Sequence, residues 1–400
     1  MSLRQIIVGE IGERGPIPFS RYMELCLYHP ELGYYSRNAE QFGKAGDFYT
    51  ASDVHAVFGR LLARQFEEVW RALGAPAKLE ILELGSGRGL FAQDVLDWSQ
   101  KKFPEFFRAL HYSLLERSPA LREKLRETLG RFLESGRASL VARSSADNGG
   151  RRTTGKGATS VVPDSPVNER ALAPAVPLLV FANEFFDALP VEILSAQGAL
   201  RVSADGDCFV ESWVPPSVEE REFLDRHSVQ PEPGERIEVP LAAWRCMLQL
   251  SAGLRGGAMI AIDYGYTRQE QLAGRHRGTL MAYRRHSASP NPYEAPGEQD
   301  LTAHVNFTAL AAAAEENGMH AQPLVTQSQF LMGIGEKDQF ADVFEDCRLP
   351  LERAKVALQL KHLVTPAGMG ENFQVLVAAQ GVDPQRVAGL SGLSFTRSRI

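Results

Sequence analysis

The 400-residue sequence is poor in several features that would each have indicated a class of protein. Its four cysteines lie far apart, so their spacing predicts neither a zinc site nor a disulfide framework and favours a reducing compartment. The longest apolar run, 176–182, is too short to span a bilayer. The N-terminus has neither the signal-peptide nor the transit-peptide pattern. We therefore expect a cytoplasmic protein without membrane insertion.

The sequence also lacks an excess of positive charge. Its 43 Lys and Arg stand against 49 Asp and Glu, which gives a formal net charge of −6. Because nucleic-acid binding needs clustered cations to neutralise phosphates, we expect no nucleic-acid partner. With 44% hydrophobic and 23% charged residues, the composition is that of an ordinary folded protein with a large core.

A glycine-rich turn is the most informative feature that is present. An apolar strand leads into Glu83, and glycines follow at Gly85, Gly87 and Gly89 before a helix begins. Dinucleotide-binding folds favour G-x-G-x-x-G, but Leu90 occupies the position of the third glycine in that pattern. The observed E-x-G-x-G-x-G is instead typical of class I enzymes that use S-adenosylmethionine (SAM). We predict that Glu83 and the three glycines bind this cofactor.

A carboxylate at the end of the second predicted strand strengthens this interpretation. Glu116 stands where its two oxygens can accept hydrogen bonds from both hydroxyls of a ribose. The ribose of NAD would be bound equally well, so an NAD-dependent enzyme remains an alternative. Leu90 and the lack of a hydride-transfer constellation disfavour it. The remaining alternative is a tight strand–helix turn followed by a surface glutamate.

Three polar residues follow the fourth predicted strand, namely Asn183, Glu184 and Asp187. Ligands of open α/β sheets lie beyond the carboxyl ends of the strands, so we predict that these residues are catalytic. If the methyl acceptor is a guanidinium or an amine, paired carboxylates could orient it and remove its proton. The alternative is that Asn183 and Asp187 only cap the next helix.

Three further residues are predicted to bind the substrate. Asp263 and Tyr264 end the fifth predicted strand at the same edge, although Asp-Tyr-Gly is also a common turn. His304 shortly precedes a helix, and a lone histidine is more often a structural residue or a cap than a base. No other histidine stands at metal-ligand spacing, so we predict no metal site.

Alternating strand and helix patterns from residue 78 onward predict an α/β fold of the class I, Rossmann-like type. We expect a seven-stranded, mostly parallel sheet that ends in a reversed C-terminal hairpin formed by 320–326 and 373–379. The predicted domains are an N-terminal helical and loop region that covers the cofactor pocket (1–75), the class I domain (76–380) and a C-terminal tail (381–400). Three insertions are expected: a disordered loop at 143–172, a β-meander with helices at 191–256, and an acceptor-side segment at 264–305.

Several separate motifs resemble those of the MidA family of SAM-dependent methyltransferases. They include Gly15–Met23, Gly46–Thr50, Glu83–Gly89, Asn183–Pro190 and Gly297–Val305. The resemblance implies that SAM is the cofactor and that the loop containing Asp47 and Thr50 closes over it. It also implies methylation of arginine in a protein, since the mitochondrial relative acts on a subunit of respiratory complex I.

The expected activity is therefore that of a protein-arginine N-methyltransferase. The expected partners are a protein substrate, after the family a complex I-type subunit, and a second copy of the chain in a homodimer. A SAM-binding assembly module without turnover, or a methyltransferase for a small molecule, remains an alternative. Two features depart from the family pattern. The 143–172 insertion is long, and Asn306 stands where we expect Asp, which would remove a charge near the acceptor pocket.

Overall fold

The fold is described from a computed structural model for residues 1–36, 56–141, 176–284 and 287–395. Two predicted cofactor residues, Asp47 and Thr50, lie outside these described residues. The predicted disordered loop at 143–172 lies outside them as well.

The helices, numbered in chain order, are α1 Leu3–Arg14, α2 Phe19–Tyr28, α3 Ala56–Ala72, α4 Leu90–Lys102, α5 Pro104–Ala109, α6 Pro119–Glu134, α7 Val218–His227, α8 Leu241–Gly253, α9 Arg268–Leu272, α10 Phe307–Glu316, α11 Gln327–Glu336, α12 Ala341–Phe344, α13 Pro350–Val364 and α14 Pro384–Ala388. The strands are β1 Ile17–Pro18, β2 Leu79–Leu84, β3 Leu110–Leu115, β4 Ala138–Leu140, β5 Leu178–Asn183, β6 Glu192–Ser195, β7 Gly198–Asp205, β8 Cys208–Val214, β9 Ile237–Val239, β10 Gly257–Tyr266, β11 Met281–Arg284, β12 Ser287–Ser289, β13 Asp300–Thr302, β14 Val305–Asn306, β15 His320–Ala321, β16 Val325–Thr326 and β17 Phe373–Gln380.

The central sheet follows the order β15-β17-β10-β5-β2-β3-β4, with β14 paired to β10 and β16 paired to β17. Strands β4, β3, β2, β5 and β10 are parallel, whereas β17 runs antiparallel to β10. The described residues thus form nine strands in this sheet rather than the predicted seven. Part of the difference arises because Pro323, which has no N–H to donate, separates β15 from β16. Helices α11 to α13 lie between β16 and β17, so the predicted hairpin is not a direct connection.

Hydrophobic cores cover both faces of this sheet. On one face α3 and α4 pack against the strands, and the ring of Phe91 stacks on that of Phe181 at 4.6 Å between centroids. On the other face α8 and α10 contribute Met247 and Phe307, both fully buried. Burial on both sides explains why β5 and β10 are nearly continuous apolar runs. Helix α3 therefore belongs to the core of the sheet, although it lies in the predicted N-terminal region.

A second layer contains a five-stranded sheet (β1-β7-β6-β9, with β8 paired to β7) and a three-stranded sheet (β12-β11-β13). Strands β6 to β8 form the meander expected in the 191–256 insertion. Helices α1 and α2 pack on both sheets through a common apolar cluster. Two hydrogen bonds join this layer to the end of β5: the Ala303 N–H donates to the Asp187 carbonyl at 3.1 Å, and the Tyr28 hydroxyl donates to the Ala188 carbonyl at 2.9 Å.

Among the described residues, no helix is long and apolar enough to cross a membrane.

Candidate cofactor and acceptor site

The glycine turn after β2 has left-handed backbone at all three glycines. Gly85, Gly87 and Gly89 have φ values of +66°, +54° and +78°, a region that residues with a Cβ rarely adopt. A Cβ at Gly85 would lie 3.1 Å from the Phe185 ring, whereas a Cβ at Gly87 would meet no atom of the described residues within 4 Å. Gly87 therefore faces open space in which a ligand can approach the backbone.

Gly89 has a different local role. It is the N-cap of α4, and a Cβ there would lie 3.2 Å from the side chains of Leu125 and Leu129. This glycine allows close packing of the turn on α6, and a direct contact of Gly89 with the cofactor stays a prediction.

Glu116 lies where the turn and the end of β3 meet. Its Oε2 accepts a hydrogen bond from the Gly87 N–H at 2.9 Å, and its Oε1 accepts one from the Ser118 N–H at 2.8 Å. Burial raises the pKa of the Glu116 carboxyl, and these backbone donors oppose the rise. The carboxylate thus reaches the open space at Gly87, as ribose binding requires.

Glu83 places a second buried carboxyl beside the turn. Tyr112 donates a hydrogen bond to it at 2.9 Å. Burial, with the nearby Glu116 carboxylate as a smaller contribution, raises the pKa of Glu83 to about 8 despite this donor. Neither Glu83 nor Glu116 forms an ion pair with another described residue. A cationic ligand would therefore be favoured here, and SAM carries a sulfonium and an ammonium group.

The residues after β5 form a strained turn. Glu184 has a φ of +49°, which is uncommon for a residue with a side chain and recurs at functional sites. Its N–H donates to the Ile262 carbonyl at 3.0 Å, which ties the turn to β10. No helix follows directly, since the chain passes from this turn into β6. The alternative that Asn183 and Asp187 cap a helix is therefore excluded.

Asp187 is 6% exposed and only partly paired. The Tyr264 hydroxyl donates to its Oδ2, but its Oδ1 has no hydrogen-bond partner among the described residues. Burial raises the pKa of Asp187 to about 6, and the Tyr264 hydrogen bond limits the rise. The Oδ1 of Asn183 is likewise buried and without a partner in the described part of the chain. The turn thus holds two acceptor oxygens that lack donors.

Asp263 is fully buried beneath this turn. Its Oδ2 accepts the N–H groups of Phe185, Phe186 and Asp187 at 3.2, 3.0 and 3.3 Å, and its Oδ1 accepts that of Tyr264 at 3.0 Å. Burial raises the pKa of Asp263, and the carboxylates of Asp187 and Glu184 raise it further, against the backbone donors. The contacts of Asp263 shape the turn, and its predicted role in substrate binding stays a prediction.

His304 is not alone in the folded protein, which corrects the expectation from the sequence. Its Nδ1 lies 3.1 Å from the Nδ1 of His276, and its ring meets the edge of Tyr264 with centroids 5.3 Å apart. Burial, and secondarily His276, lowers the pKa of His304 to about 4, so the ring is neutral at pH 7. Within the described ranges, no group of three or more His, Cys, Asp or Glu side chains could hold a metal ion.

Four residues near this site were missed by the sequence analysis. The Tyr35 hydroxyl donates to Asp300 at 3.0 Å, and the guanidinium of Arg117 lies 5.3 Å from the ring of Tyr28. These contacts bring the end of α2 and the three-stranded sheet beside Glu116 and Asp187. Asp300 stands within the Gly297–Val305 motif, but no local pattern indicates that these residues pair across such sequence separations.

Asn306 has a structural role that differs from the expected one. Its Oδ1 caps α10 by accepting the Ala309 N–H at 3.0 Å, and its Nδ2 donates to the His227 carbonyl at 2.9 Å. An aspartate could accept the first bond but could not donate the second. These contacts give Asn306 a structural role, and the loss of a charge near the acceptor pocket stays a prediction.

Comparison with known proteins adds to this geometry. The sequence model of a family described as S-adenosyl-L-methionine-dependent methyltransferases matches residues 61–325. The chain is 30% identical over 398 residues to the protein arginine methyltransferase NDUFAF7 homolog, mitochondrial, of Drosophila melanogaster, covering 95% of this chain and 85% of that one. The human protein arginine methyltransferase NDUFAF7, mitochondrial, is 28% identical, with 91% of this chain and 80% of the human protein covered.

A solved structure is similar over nearly the whole chain. It is a crystal structure from Burkholderia thailandensis in complex with S-adenosyl-homocysteine, with a TM-score of 0.78 and 29% identity. The match covers 98% of this chain and 94% of that one.

Proposed function

The chain belongs to the S-adenosyl-L-methionine-dependent methyltransferase family, and from this premise we propose that it methylates the guanidino nitrogens of arginine in a protein. The observation that carries the proposal is a pair of buried oxygens, on Asn183 and Asp187, that accept no hydrogen bond from the part of the chain that the structure describes. Buried acceptors that lack donors are costly, so a group rich in N–H donors fits this turn well.

The SAM dependence predicted from the glycine turn is confirmed by the family match. Glu116 would hold the ribose hydroxyls, and the open backbone at Gly87 would allow the ligand to approach the start of α4. When bound, SAM supplies a methyl group on a cationic sulfur. Glu83 would offset part of the ligand's positive charge once its carboxyl is ionised.

The turn after β5 suits a guanidinium acceptor for reasons of charge and geometry. With a pKa of about 6, Asp187 is ionised at neutral pH and attracts a cation. Tyr264 fixes one oxygen of Asp187 and leaves the other for an acceptor N–H. Asn183 offers a second oxygen nearby. In-line methyl transfer needs the attacking nitrogen to be oriented, and Asp187 can accept the proton that this nitrogen loses.

The names of the relatives support the same acceptor. The Drosophila and human proteins are both called protein arginine methyltransferases. At about 30% identity they favour arginine without fixing which protein carries it. A subunit of the complex I type is the candidate that the family resemblance suggests.

A labelling experiment tests the proposal. Extract from cells that lack the protein is incubated with methyl-labelled SAM and either the wild type or Asp187→Asn. We expect a discrete labelled protein whose hydrolysate contains methylarginine. Because general-base groups typically contribute about 10²–10⁴-fold, the variant should label it at least about 100-fold more slowly.

A matched control separates binding from chemistry. Asp187→Asn should keep its affinity for S-adenosyl-homocysteine in calorimetry, whereas Glu116→Gln should lose affinity. Label only in small molecules would contradict the protein acceptor and favour a small-molecule methyltransferase. Tight SAM binding with no labelled product in any extract would favour a binding module without turnover.

A further inference from the structure

The surface of α13 carries an unusual group of exposed leucines. Leu349, at its N-terminus, is 60% exposed, Leu351 is 81% exposed and Leu358 is 67% exposed. Exposed leucines that stand singly, such as Leu272, are ordinary on protein surfaces, but three on one element are not.

The leucines in the helix share its solvent side. Leu351 and Leu358 are two turns apart, so they lie on one face. The opposite side faces the protein, where Leu363 is fully buried and α13 packs on α3 and α11. A helix that is apolar on both sides is normally buried on both. We call Leu349, Leu351, Leu358, Lys355 and Lys361 the outer face of α13.

Positive charge accompanies the leucines. Lys355 and Lys361 flank Leu358 and are exposed, and Arg348 precedes the helix, also exposed. None of the three side chains has an ion-pair partner among the described residues. The carboxylate of Glu352 is engaged with backbone N–H groups at the start of the helix, at 2.7 and 2.9 Å. By contrast, Lys101 and Lys102 nearby pair with Glu345.

We propose that the outer face of α13 docks on an anionic lipid surface. Leucines flanked by lysines match an interface in which apolar side chains enter the headgroup region while cations stay near phosphates. The chain as a whole has a net charge of −6, so this local positive charge is distinctive. The docking is peripheral and does not depend on which acceptor the enzyme methylates.

Other occupants fit the outer face less well. In a two-fold contact between copies, Lys355 would face the cations of an identical face. Protein interfaces are anchored by buried aromatic or arginine side chains in pockets, whereas the five residues of this face include neither. Nucleic acid would complement the cations but would leave the leucines without apolar contacts.

Vesicle sedimentation tests the proposal on the full-length protein. Vesicles of phosphatidylcholine alone are compared with vesicles of phosphatidylcholine and phosphatidylglycerol. We expect binding only to the anionic vesicles, weakening as salt increases. Two double variants test the two parts of the face, Leu351→Glu/Leu358→Glu and Lys355→Glu/Lys361→Glu. Each should bind the anionic vesicles at least about tenfold more weakly than the wild type, since basic residues near such a surface add to the binding free energy.

The control is Leu272→Glu, which changes a leucine of similar exposure, 61%, outside α13 and should bind as the wild type does. A thermal unfolding midpoint equal to that of the wild type shows that a variant is folded. Any variant that does not fold is replaced by one with serine instead of glutamate at the same positions. Absence of vesicle binding, or equal binding by all variants, would overturn the proposal. Self-association in lipid-free buffer that the leucine variant abolishes would instead assign the face to a second copy. Leucine-dependent cross-links to a protein, without vesicle binding, would assign it to a protein partner.

Discussion

At the scale of single residues, three buried carboxylates in the site differ in what their oxygens contact. Asp263 is fully buried, and its two oxygens accept four backbone N–H groups. Glu116 binds two backbone N–H groups, one of them on the glycine turn. Asp187 has one oxygen fixed by Tyr264 and one without a partner. These contacts give Asp263 a structural role, and they support the proposed roles of Glu116 in cofactor binding and of Asp187 in acceptor binding.

The structural role of Asp263 can be tested with Asp263→Asn. The amide keeps the shape but replaces one accepting oxygen with an NH₂ group that faces N–H donors. We expect a loss of about 2–3 kcal/mol in the free energy of unfolding, since buried donors are left without acceptors. Urea unfolding measures this loss. A change below about 0.5 kcal/mol, as for an ordinary surface substitution, would show that the carboxylate does not hold the turn.

The hydrogen bond from Tyr264 should control the titration of Asp187. Tyr264→Phe removes a donor that favours the ionised carboxylate, so the pKa of Asp187 should rise above its value of about 6. A rise of about one to two pH units is expected, because hydrogen bonds to charged groups are worth about 1.5–3 kcal/mol. Carbon-13 NMR of the Asp187 carboxyl measures the midpoint. The control is Tyr293→Phe, which removes a hydroxyl bonded to Glu211 and should leave the midpoint of Asp187 unchanged. An unchanged midpoint in Tyr264→Phe would show that this hydrogen bond does not control the titration of Asp187.

How far the sequence predicts a residue in this site depends on whether a local pattern identifies it. Glu116 could be placed because it ends the strand after a recognisable turn. The pairing of His276 with His304 could not be predicted from the sequence. His276 has a φ of +54° and lies in an irregular segment without a periodic pattern. Asp263 could be located at the edge of the sheet, but its backbone contacts depend on the turn after β5, which the sequence alone does not define.

At the scale of elements, the cofactor site is formed by two turns that approach each other. The glycine turn follows β2, the turn with Glu184 follows β5, and the two strands are neighbours in the sheet. The Phe185 ring packs where a Cβ on Gly85 would come within 3.1 Å. The first glycine therefore serves protein packing, and we propose that the second, Gly87, serves the ligand.

This division of roles predicts different effects at equivalent backbone positions. Gly87→Ala and Gly206→Ala both place a Cβ at a similar positive φ (+54° and +56°) where no protein atom lies within 4 Å. Each should lose about 1 kcal/mol of stability from backbone strain. Only Gly87→Ala should also weaken S-adenosyl-homocysteine binding, by at least about tenfold in calorimetry, because the methyl group enters the ligand space. Equal affinities in the two variants would place the ligand away from Gly87.

Helices and strands were predicted well where their pattern of apolar residues extends over many positions. The predicted strand at 373–379 agrees with β17 to within one residue at each end. The division of the predicted 320–326 strand by Pro323 was missed, since the proline was not weighed against the apolar residues around it. Helix α3 was assigned to a covering region, but its apolar stripe packs on the central sheet.

At the scale of the whole molecule, the site collects buried carboxyls whose burial couples protonation to folding. Glu83 has an ordinary pKa of 4.5 and a pKa of about 8 in the folded, ligand-free protein. The contribution of protonated Glu83 to the free energy of unfolding is therefore fully present below pH 4.5. It is lost progressively as the pH rises from 4.5 towards 8. The pKa of His304 is lowered to about 4, so this residue makes the protein more stable as the pH rises. Its effect is confined to the range between about pH 4 and 6.5. Asp187 has largely titrated by pH 7.

Between about pH 7 and 8, Glu83 should contribute a fall in stability as pH rises, and Asp263, whose pKa burial also raises, acts with the same sign. For the ligand-free protein, the free energy of unfolding should fall with rising pH by up to about 1.4 kcal/mol per pH unit. Glu83→Gln cannot ionise at this position, so its slope should be shallower than that of the wild type, as urea unfolding at a series of pH values would show. Because SAM is cationic and favours ionised Glu83, its affinity for the wild type should rise over the same range. A slope that persists undiminished in Glu83→Gln would mean that another buried group takes up the proton.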